Sequence, residues 1–525
     1  MPVGALEYHD RTKHSPRSVR EGGRGLDFDN KPRPYKEYVD RPKRPLVDQI
    51  RPPQQPALAA IAESTPDGTP NHHRQLDRET VVTLCYYAAG ITKRIDRRGR
   101  SLLFRAAATT GALYHVDLYV VCGDLEGTDG SGSPTADLEA GVYHFDPRTL
   151  SLDVLRAGDY RDVLASASAD ESVADAPLSF VATSTWWRNA WKYGDRTFRH
   201  AFWDSGTTLA NLLAVAHALD YCAAVVTGFA DRPVVDLLGL EPEREAPLEL
   251  VPIGTGDSVS GSGSDPDSAD FEPIDHATEP LSPTEKRFPT IHEAWSAGTL
   301  ESGAAADSWR FDRPAAPIGT REPGDGERIA LEPVDGETAS SRPLHETIRR
   351  RGSCREYARE SISFRKLSTV LDRAVRGVPM DIRRQGDPPL SFVDPYLVVI
   401  GVEGLEPGTY RSHPAAGELE RLRAGEFRSE AGHLALDQRL AADAAVCLYF
   451  MTDLEAIVDA LGDRGYRVAQ LEASLTAGRL YLGTYAHRDL GGTGLTFYDD
   501  VVTDFFAPRA TGLTPMFLYT MGRPA

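Results

Sequence analysis

Lys192 and Tyr193 have the types and the setting to do chemistry. They lie in Trp186-Trp-Arg-Asn-Ala-Trp-Lys-Tyr-Gly-Asp-Arg-Thr-Phe-Arg-His200, a block holding three of the chain's six tryptophans. Only eight of the 58 Lys and Arg residues are lysine, so a lysine between Trp191 and Tyr193 stands out against an arginine background. Lysine can lose its proton when desolvated, and arginine in practice cannot. An ammonium in an aromatic wall can therefore serve as general base or acid. The same residues could instead make a cation–π contact at a helix start.

Two further groupings could bind a ligand. In Arg351-Gly-Ser353-Cys-Arg355, arginines four apart around a serine can clamp a phosphate; the competing reading is a solvated arginine surface. In Ala108-Thr109-Thr110-Gly111-Ala-Leu-Tyr114, a small-residue turn with two hydroxyls lets backbone approach a planar ring; the competing reading is an ordinary turn.

Around these, the chain divides into four stretches. Residues 1–56 are polar and proline-rich and read as an extended arm. Residues 57–253 form a first domain. Leu76 to Gly90 predicts a helix capped by Asp77 and stopped by Gly90. His115–Val121 and Gly141–Phe145 predict strands flanking a Gly/Ser loop at 127–134. Thr207–Ala224 predicts a helix apolar on more than one face, as a central helix would be. Residues 254–340 are acidic and low in complexity at their start, and read as a largely disordered linker in which Trp295 and Trp309 dock locally. Residues 341–525 form a second domain.

The second domain repeats the first. Leu138-Glu-Ala-Gly-Val-Tyr143 answers to Leu405-Glu-Pro-Gly-Thr-Tyr410, and Leu155-Arg-Ala-Gly-Asp-Tyr-Arg161 to Leu422-Arg-Ala-Gly-Glu-Phe-Arg428, both 267 positions on. Gly194-Asp-Arg196 and Arg199 answer to Gly462-Asp-Arg464 and Arg467. Such ungapped likeness marks a duplication, and a tethered duplicate can fold as a single-chain two-fold dimer whose two patches then diverge. The divergence is complementary. Lys192 and Tyr193 have Ala460 and Leu461 as partners, and Arg384-Gln-Gly-Asp-Pro-Pro-Leu390 stands where the first half has its Thr-Thr-Gly turn. The segment Glu63–Pro70 has no arginine clamp. One composite site between the halves, with its twin decayed, predicts this pattern; neutral drift is the alternative.

A formal net charge of -19 argues against nucleic acid as a partner. No apolar run is long enough to span a membrane, no secretory signal opens the chain, and five scattered cysteines without a Cys-x-x-Cys suggest neither metal nor disulfides. A cytoplasmic protein is the expectation.

Together these residues resemble the nitroreductase-like flavoprotein superfamily, and within it the SagB/ThcOx-type dehydrogenases. Tyr8-His-Asp-Arg-Thr-Lys-His14 and Leu26-Asp-Phe-Asp-Asn-Lys-Pro-Arg-Pro34 are similar to that group's N-terminal signature. Thr110-Gly-Ala-Leu-Tyr114 resembles its small-residue turn, with His115 where the group has proline. Arg188-Asn-x-x-Lys-Tyr-x-x-Arg196, with Arg199 and His200, resembles its active-site helix start, and Arg351-x-Ser353-x-Arg355 its FMN-phosphate motif. Gly228-Phe229 and Gly492-Thr493-Gly494-Leu495 look like its flavin-side glycine segment.

The resemblance implies an α+β fold of two tandem nitroreductase-like domains, each a central antiparallel sheet wrapped by helices, forming an intrachain pseudo-dimer that could act as a monomer. It implies FMN held by Arg351, Ser353, Arg355, Thr109, Thr110, Gly111, Gly492, Thr493 and Gly494. It also implies Lys192 as base, kept neutral by aromatic burial and by Arg188 and Arg196, with Tyr193 assisting. Arg188, Arg196 and Arg199 would anchor substrate or flavin. The activity implied is oxidation of an azoline-type heterocycle, or of a related small-molecule or modified-peptide substrate. An NAD(P)H-dependent nitro or quinone reductase and a catalytically silent flavin-binding subunit are the alternatives.

Overall fold

Each half of the chain builds one large antiparallel sheet beside shorter two-stranded pairings. The structure is a computed structural model describing residues 3–525 apart from 23–24, 47–49, 63–75, 98–99, 129–133, 257–258, 260–273, 275–276, 312–323, 336–341 and 383–390. The first sheet comprises β1 (Lys43–Pro45), β2 (Val116–Cys122), β3 (Gly141–Asp146), β4 (Ser151–Ala157), β5 (Leu178–Thr185) and β6 (Glu245–Ile253), in the order β1-β4-β3-β2-β5-β6. The second comprises β7 (Arg328–Ala330), β8 (Asp394–Val399), β9 (Gly408–His413), β10 (Glu418–Ala424), β11 (Val446–Thr452), β12 (Gly491–Leu495) and β13 (Thr514–Gly522), in the order β7-β10-β9-β8-β11-β13-β12. The path β4-β3-β2-β5-β6 is thus repeated as β10-β9-β8-β11-β13. Every residue of β2, β5, β8 and β11 is buried, as expected for strands covered on both faces.

The repeat extends to irregularities. β3 shifts register between Val142 and Tyr143, and β9 does so between Thr409 and Tyr410. The hydroxyls of Tyr143 and Tyr410 donate to the carbonyls of Glu139 and Glu406, each at 2.6 Å. The helix after β5 runs as α1 (Trp186–Tyr193), a tight turn at Gly194–Arg196 and α2 (Thr197–Ala218); the one after β11 is α3 (Leu454–Ala486), kinked at Gly462. Gly194 and Gly462 have φ of 58° and 62°, with ψ of -139° and -166°. That backbone region belongs essentially to glycine.

α2 begins ten residues earlier than its apolar run predicts and ends at Ala218. It is buried over Thr197–Ala216 because it packs against α3 at the join of the halves. A Cβ on Gly206 would stand 1.9 Å from Ser474 Oγ, and one on Gly478 2.5 Å from Ala210 Cβ. Gly206 and Ser474 are 268 positions apart, as are Ala210 and Gly478, so the crossing lies on the internal two-fold axis. Close helix approach here requires the small residues.

Charged struts cross the same join. Asp499 takes Arg199 at 2.5 Å and Arg196 at 3.4 Å; Asp231, its counterpart, takes Arg464 at 2.6 Å and Arg467 at 3.1 Å. All six side chains are buried. Burial opposes ionisation of Asp499, and Arg199 and Arg196 overcome it, holding the carboxyl well below the usual carboxylate range.

The largely disordered linker is corrected in part. Its low-complexity opening lies mostly outside the described residues, as do much of the 127–134 loop, the 63–70 segment and residues 384–390. But Pro289–Ala297 and Gly303–Phe311 are helices, and Arg328–Ala330 is the edge strand β7. Trp295 and Trp309 dock as expected, donating to the carbonyls of Pro247 and Leu461. The arm is less extended than its composition suggests: it forms helices at Ala5–Arg11 and Pro16–Glu21 and contributes β1.

Candidate active site at the join of the halves

A cavity of about 450 Å³ opens between the two halves and draws its walls from both. The first half supplies Thr109, Thr110, Gly111, Lys192 and Tyr193; the second supplies Ser353, Arg355, Thr493 and Gly494. The three separate groupings of the sequence thus share one space.

The Thr-Thr-Gly turn is held from behind. Asp204 on α2 accepts from Thr110 N at 2.8 Å and from Thr110 Oγ1 at 2.7 Å, and pairs with His115 Nε2 at 2.9 Å. His115 in turn meets Ser184 at 2.8 Å. Gly111 sits at φ 66°, and a Cβ there would come within 2.8 Å of the Tyr193 hydroxyl. The glycine therefore permits both the turn and the close approach of Tyr193. Burial, with Asp204 next, pushes the Tyr193 hydroxyl up to about 12, so it is a hydrogen-bond donor at neutral pH.

Lys192 departs from expectation. It is exposed at the cavity mouth, with its Nζ 5.0 Å from the centre of the Tyr193 ring. The aromatic burial expected around it is absent, because Trp191 turns away to donate to the carbonyl of Asp27. Arg188 is buried against Asp117 at 2.9 Å and the Tyr114 carbonyl at 3.0 Å, fixing α1 to β2. Arg196 and Arg199 are committed to the Asp499 strut. None of these three arginines lines the cavity.

In the clamp, Ser353 and Arg355 line the cavity, and Arg355 is exposed without a hydrogen-bond or ionic partner among the described residues. Arg351 is used otherwise: it donates to the carbonyls of Ala106 at 2.9 Å and Arg105 at 3.1 Å, tying the second half to the strand that enters the Thr-Thr-Gly turn. Gly492 is also behind the wall. Its carbonyl accepts from Cys354 N at 3.0 Å, docking the clamp onto β12, and a Cβ there would collide with Tyr519. Gly494 N donates to the Tyr481 hydroxyl at 2.6 Å.

Reading the sequence residue by residue left out several wall residues: Trp203, Asp204, Gln438, Tyr481, Thr496 and Phe517, and quoted His14 only within the N-terminal signature. His200, quoted only within the motif, is also in the wall; its Nδ1 lies 2.9 Å from Asn189 Oδ1, and its ring is 4.7 Å from Tyr193. Asp204 carried a usable signal, one helical turn beyond His200.

Two buried hydroxyls in this wall, Thr109 Oγ1 and Thr496 Oγ1, have no hydrogen-bond partner among the described residues. They come from opposite halves. Buried polar atoms are seldom left so, unless a ligand or water completes them. With the free guanidinium of Arg355, they fit a planar cofactor with a phosphate tail. Among the described residues no cluster of His, Cys, Asp and Glu could hold a metal, and no helix is long and apolar enough to cross a membrane.

Residues 73–255 match the model of the nitroreductase family. This half is a nitroreductase-family domain. The whole chain superposes on a nitroreductase-type protein of Anabaena variabilis, with 25% identity, a TM-score of 0.74 and complete coverage of both chains. A nitroreductase-type protein of Ralstonia eutropha aligns with 43% of this chain over all of its own length, at 19% identity and a TM-score of 0.30. A chain of the Escherichia coli microcin synthetase complex aligns with 49% of this chain over 88% of its own, at 20% identity and a TM-score of 0.30. Among curated proteins none matches.

Proposed function

We propose that the chain is an FMN-dependent oxidoreductase of the SagB/ThcOx type, acting through one composite site. The observation that carries this reading is the single cavity in which the Thr-Thr-Gly turn and Lys192-Tyr193 of one half face Ser353 and Arg355 of the other. In this reading Arg355 and Ser353 hold the cofactor's phosphate, and Thr109, Thr110, Gly111, Thr493 and Gly494 border its ring. Bound there, FMN would supply the hydride acceptor. Tyr193, protonated and pressed on Gly111, donates a hydrogen bond beside the ring. Lys192 takes or returns the substrate proton at the mouth. Trp203 and Phe517 supply an apolar wall that limits water. The substrate class proposed is an azoline-type heterocycle, or a related small or peptide-borne ring whose oxidation is driven by aromatisation.

The exposure of Lys192 favours a second reading, an NAD(P)H-dependent nitro or quinone reductase, in which a desolvated base is not needed. Two measurements separate the possibilities. Purified protein should show a flavin absorbance band and release FMN on denaturation; a colourless protein sinks both readings. Lys192→Ala should retain FMN yet lower azoline oxidation by about 10²–10⁴-fold, the usual contribution of a positioned proton carrier. NADPH-driven menadione reduction that proceeds undiminished in Lys192→Ala, with no azoline oxidation by the parent, selects the reductase.

A further inference from the structure

The segment Pro289–Leu300 occupies, in the second half, the place that the N-terminal arm occupies in the first. Arg199 donates to the carbonyl of His9 at 2.6 Å, and Arg467 to that of Trp295. Arg196 donates to the carbonyl of Thr12, and Arg464 to that of Gly298 at 2.7 Å. His14 N reaches Asp499 Oδ2 at 2.7 Å while Asp499 N returns to the His14 carbonyl at 3.0 Å. Leu300 N reaches Asp231 Oδ2 at 2.9 Å while Asp231 N returns to the Leu300 carbonyl at 3.1 Å. His9, Thr12 and His14 each have their counterpart 286 positions on, at Trp295, Gly298 and Leu300. Each segment is also helical just before this stretch, at Ala5–Arg11 and Pro289–Ala297. The arm was therefore duplicated together with the domain, and the second repeat begins near residue 289.

These bonds run through backbone atoms and through the Arg–Asp struts, and both copies keep them. What changes is the side chain delivered at the end, an imidazole at His14 and an aliphatic group at Leu300. The change matches those around the cavity: Lys192 against Ala460, Tyr193 against Leu461 and His200 against Val468. On the cavity side the polar groups stand; in the other copy aliphatic ones replace them. His14 lines the cavity, and among the described residues its imidazole has no hydrogen-bond partner.

We infer that His14 is a ligand-contacting residue of the composite site, delivered by the N-terminal arm, and that it reads the donor and acceptor edge of the planar heterocycle held there. Resting on the oxidoreductase reading, this assignment adds a residue from outside the matched domain. Burial, with Arg196 next and only Asp499 opposing, pushes the imidazole down to about 3. It stays neutral and offers one N–H and one lone pair, which suits recognition rather than proton carriage. The heterocycle edge could belong to the cofactor or to the substrate over it.

The test compares His14→Leu, which installs the side chain of the silent copy, with His14→Gln, which keeps a donor and an acceptor, and with Leu300→His as control. FMN affinity, the flavin absorption envelope and the KM of whichever activity the parent shows, azoline oxidation or NADPH-driven menadione reduction, are measured on each full-length protein. His14→Leu should raise the FMN Kd or that KM about tenfold, with His14→Gln in between and Leu300→His unchanged. A shift in FMN affinity or absorption assigns His14 to the cofactor; a shift in KM alone assigns it to the substrate. Unchanged FMN affinity, absorption and KM in His14→Leu overturn the inference. A parent that binds no FMN overturns the functional reading, and the assignment with it.

Discussion

Arg199 meets Asp499 across the join of the halves at 2.5 Å, and Arg467 meets Asp231 at 3.1 Å in the mirrored position. Each aspartate also holds a second buried arginine and two backbone bonds of an arm segment. Removing the charge leaves two buried guanidiniums unpaired, which costs about 3–5 kcal/mol. Asp499→Asn and Asp231→Asn should therefore each lower stability in urea melts by that order. They should differ in function: Asp499 anchors the arm at His14, so only its variant should also lose FMN affinity. Equal loss of FMN in both would show that the effect is general loosening.

The same pair sets an acid limit. Asp499 has its folded-state pKa depressed, so its contribution is fully present above the unfolded value of about 3.9 and is lost as pH falls below it towards the folded value. Urea melts between pH 3 and pH 7 should show the gap between the parent and Asp499→Asn narrowing at the acid end. A constant gap across that range would mean that the Asp499 carboxyl titrates alike in the folded and the unfolded chain.

Gly111 and Tyr193 make a second testable contact. A methyl at Gly111 would press on the Tyr193 hydroxyl and force φ 66° on a residue that avoids it. Gly111→Ala should lower turnover at least about tenfold while changing the melting temperature little, since the turn lies at the cavity wall rather than in either sheet. An unaltered rate would show that Tyr193 does not need this position.

Much of this arrangement was legible because duplication makes a sequence its own comparison. The offsets of 267 and 268 matched the strands and the Gly-Asp-Arg segments of the two halves, and the asymmetry at Lys192 and Tyr193 pointed to one composite site. What escaped notice had physical reasons. Pro289–Ala297 is a short helix whose buried face is three residues, Ile291, Ala294 and Trp295, too brief a pattern to stand out beside the acidic low-complexity stretch before it. Arg196 and Arg199 looked like anion anchors because sequence shows a charge but not its partner, which lies some 300 residues away at Asp499. The exposure of Lys192 depended on where Trp191 turned, and spacing does not decide that.

Arg351 and Arg355 look equivalent in the sequence and are not equivalent in the fold. Arg355→Ala removes an unpaired guanidinium from the cavity wall and should raise the Kd for FMN about 10–100-fold, the scale of a lost charge-assisted hydrogen bond, with no loss of stability. Arg351→Ala instead removes the bonds to Ala106 and Arg105 and should lower the melting temperature. Fluorescence titration with FMN and thermal melts would distinguish them; the reverse pattern would place the phosphate at Arg351.

The second copy makes the last prediction quantitative. Where the cavity has Tyr193, the other side has Leu461, whose carbonyl is taken by Trp309 at 2.7 Å. Beside it the Arg310 guanidinium is buried, donating to the carbonyl of Gly228 at 2.8 Å and to that of Ser168 at 2.6 Å. Asp381 closes the same corner by accepting from Thr227 N at 2.9 Å and Gly228 N at 2.8 Å. Backbone groups that could meet a ligand there are already satisfied by the chain itself. Titration of the apoprotein should therefore saturate at one FMN per chain. Trp309→Ala should destabilise the protein, by about 1–3 kcal/mol for a partly buried aromatic, without adding a second equivalent. Two FMN per parent chain would show that the second copy still binds and that the losses at Ala460 and Leu461 tuned it rather than silenced it.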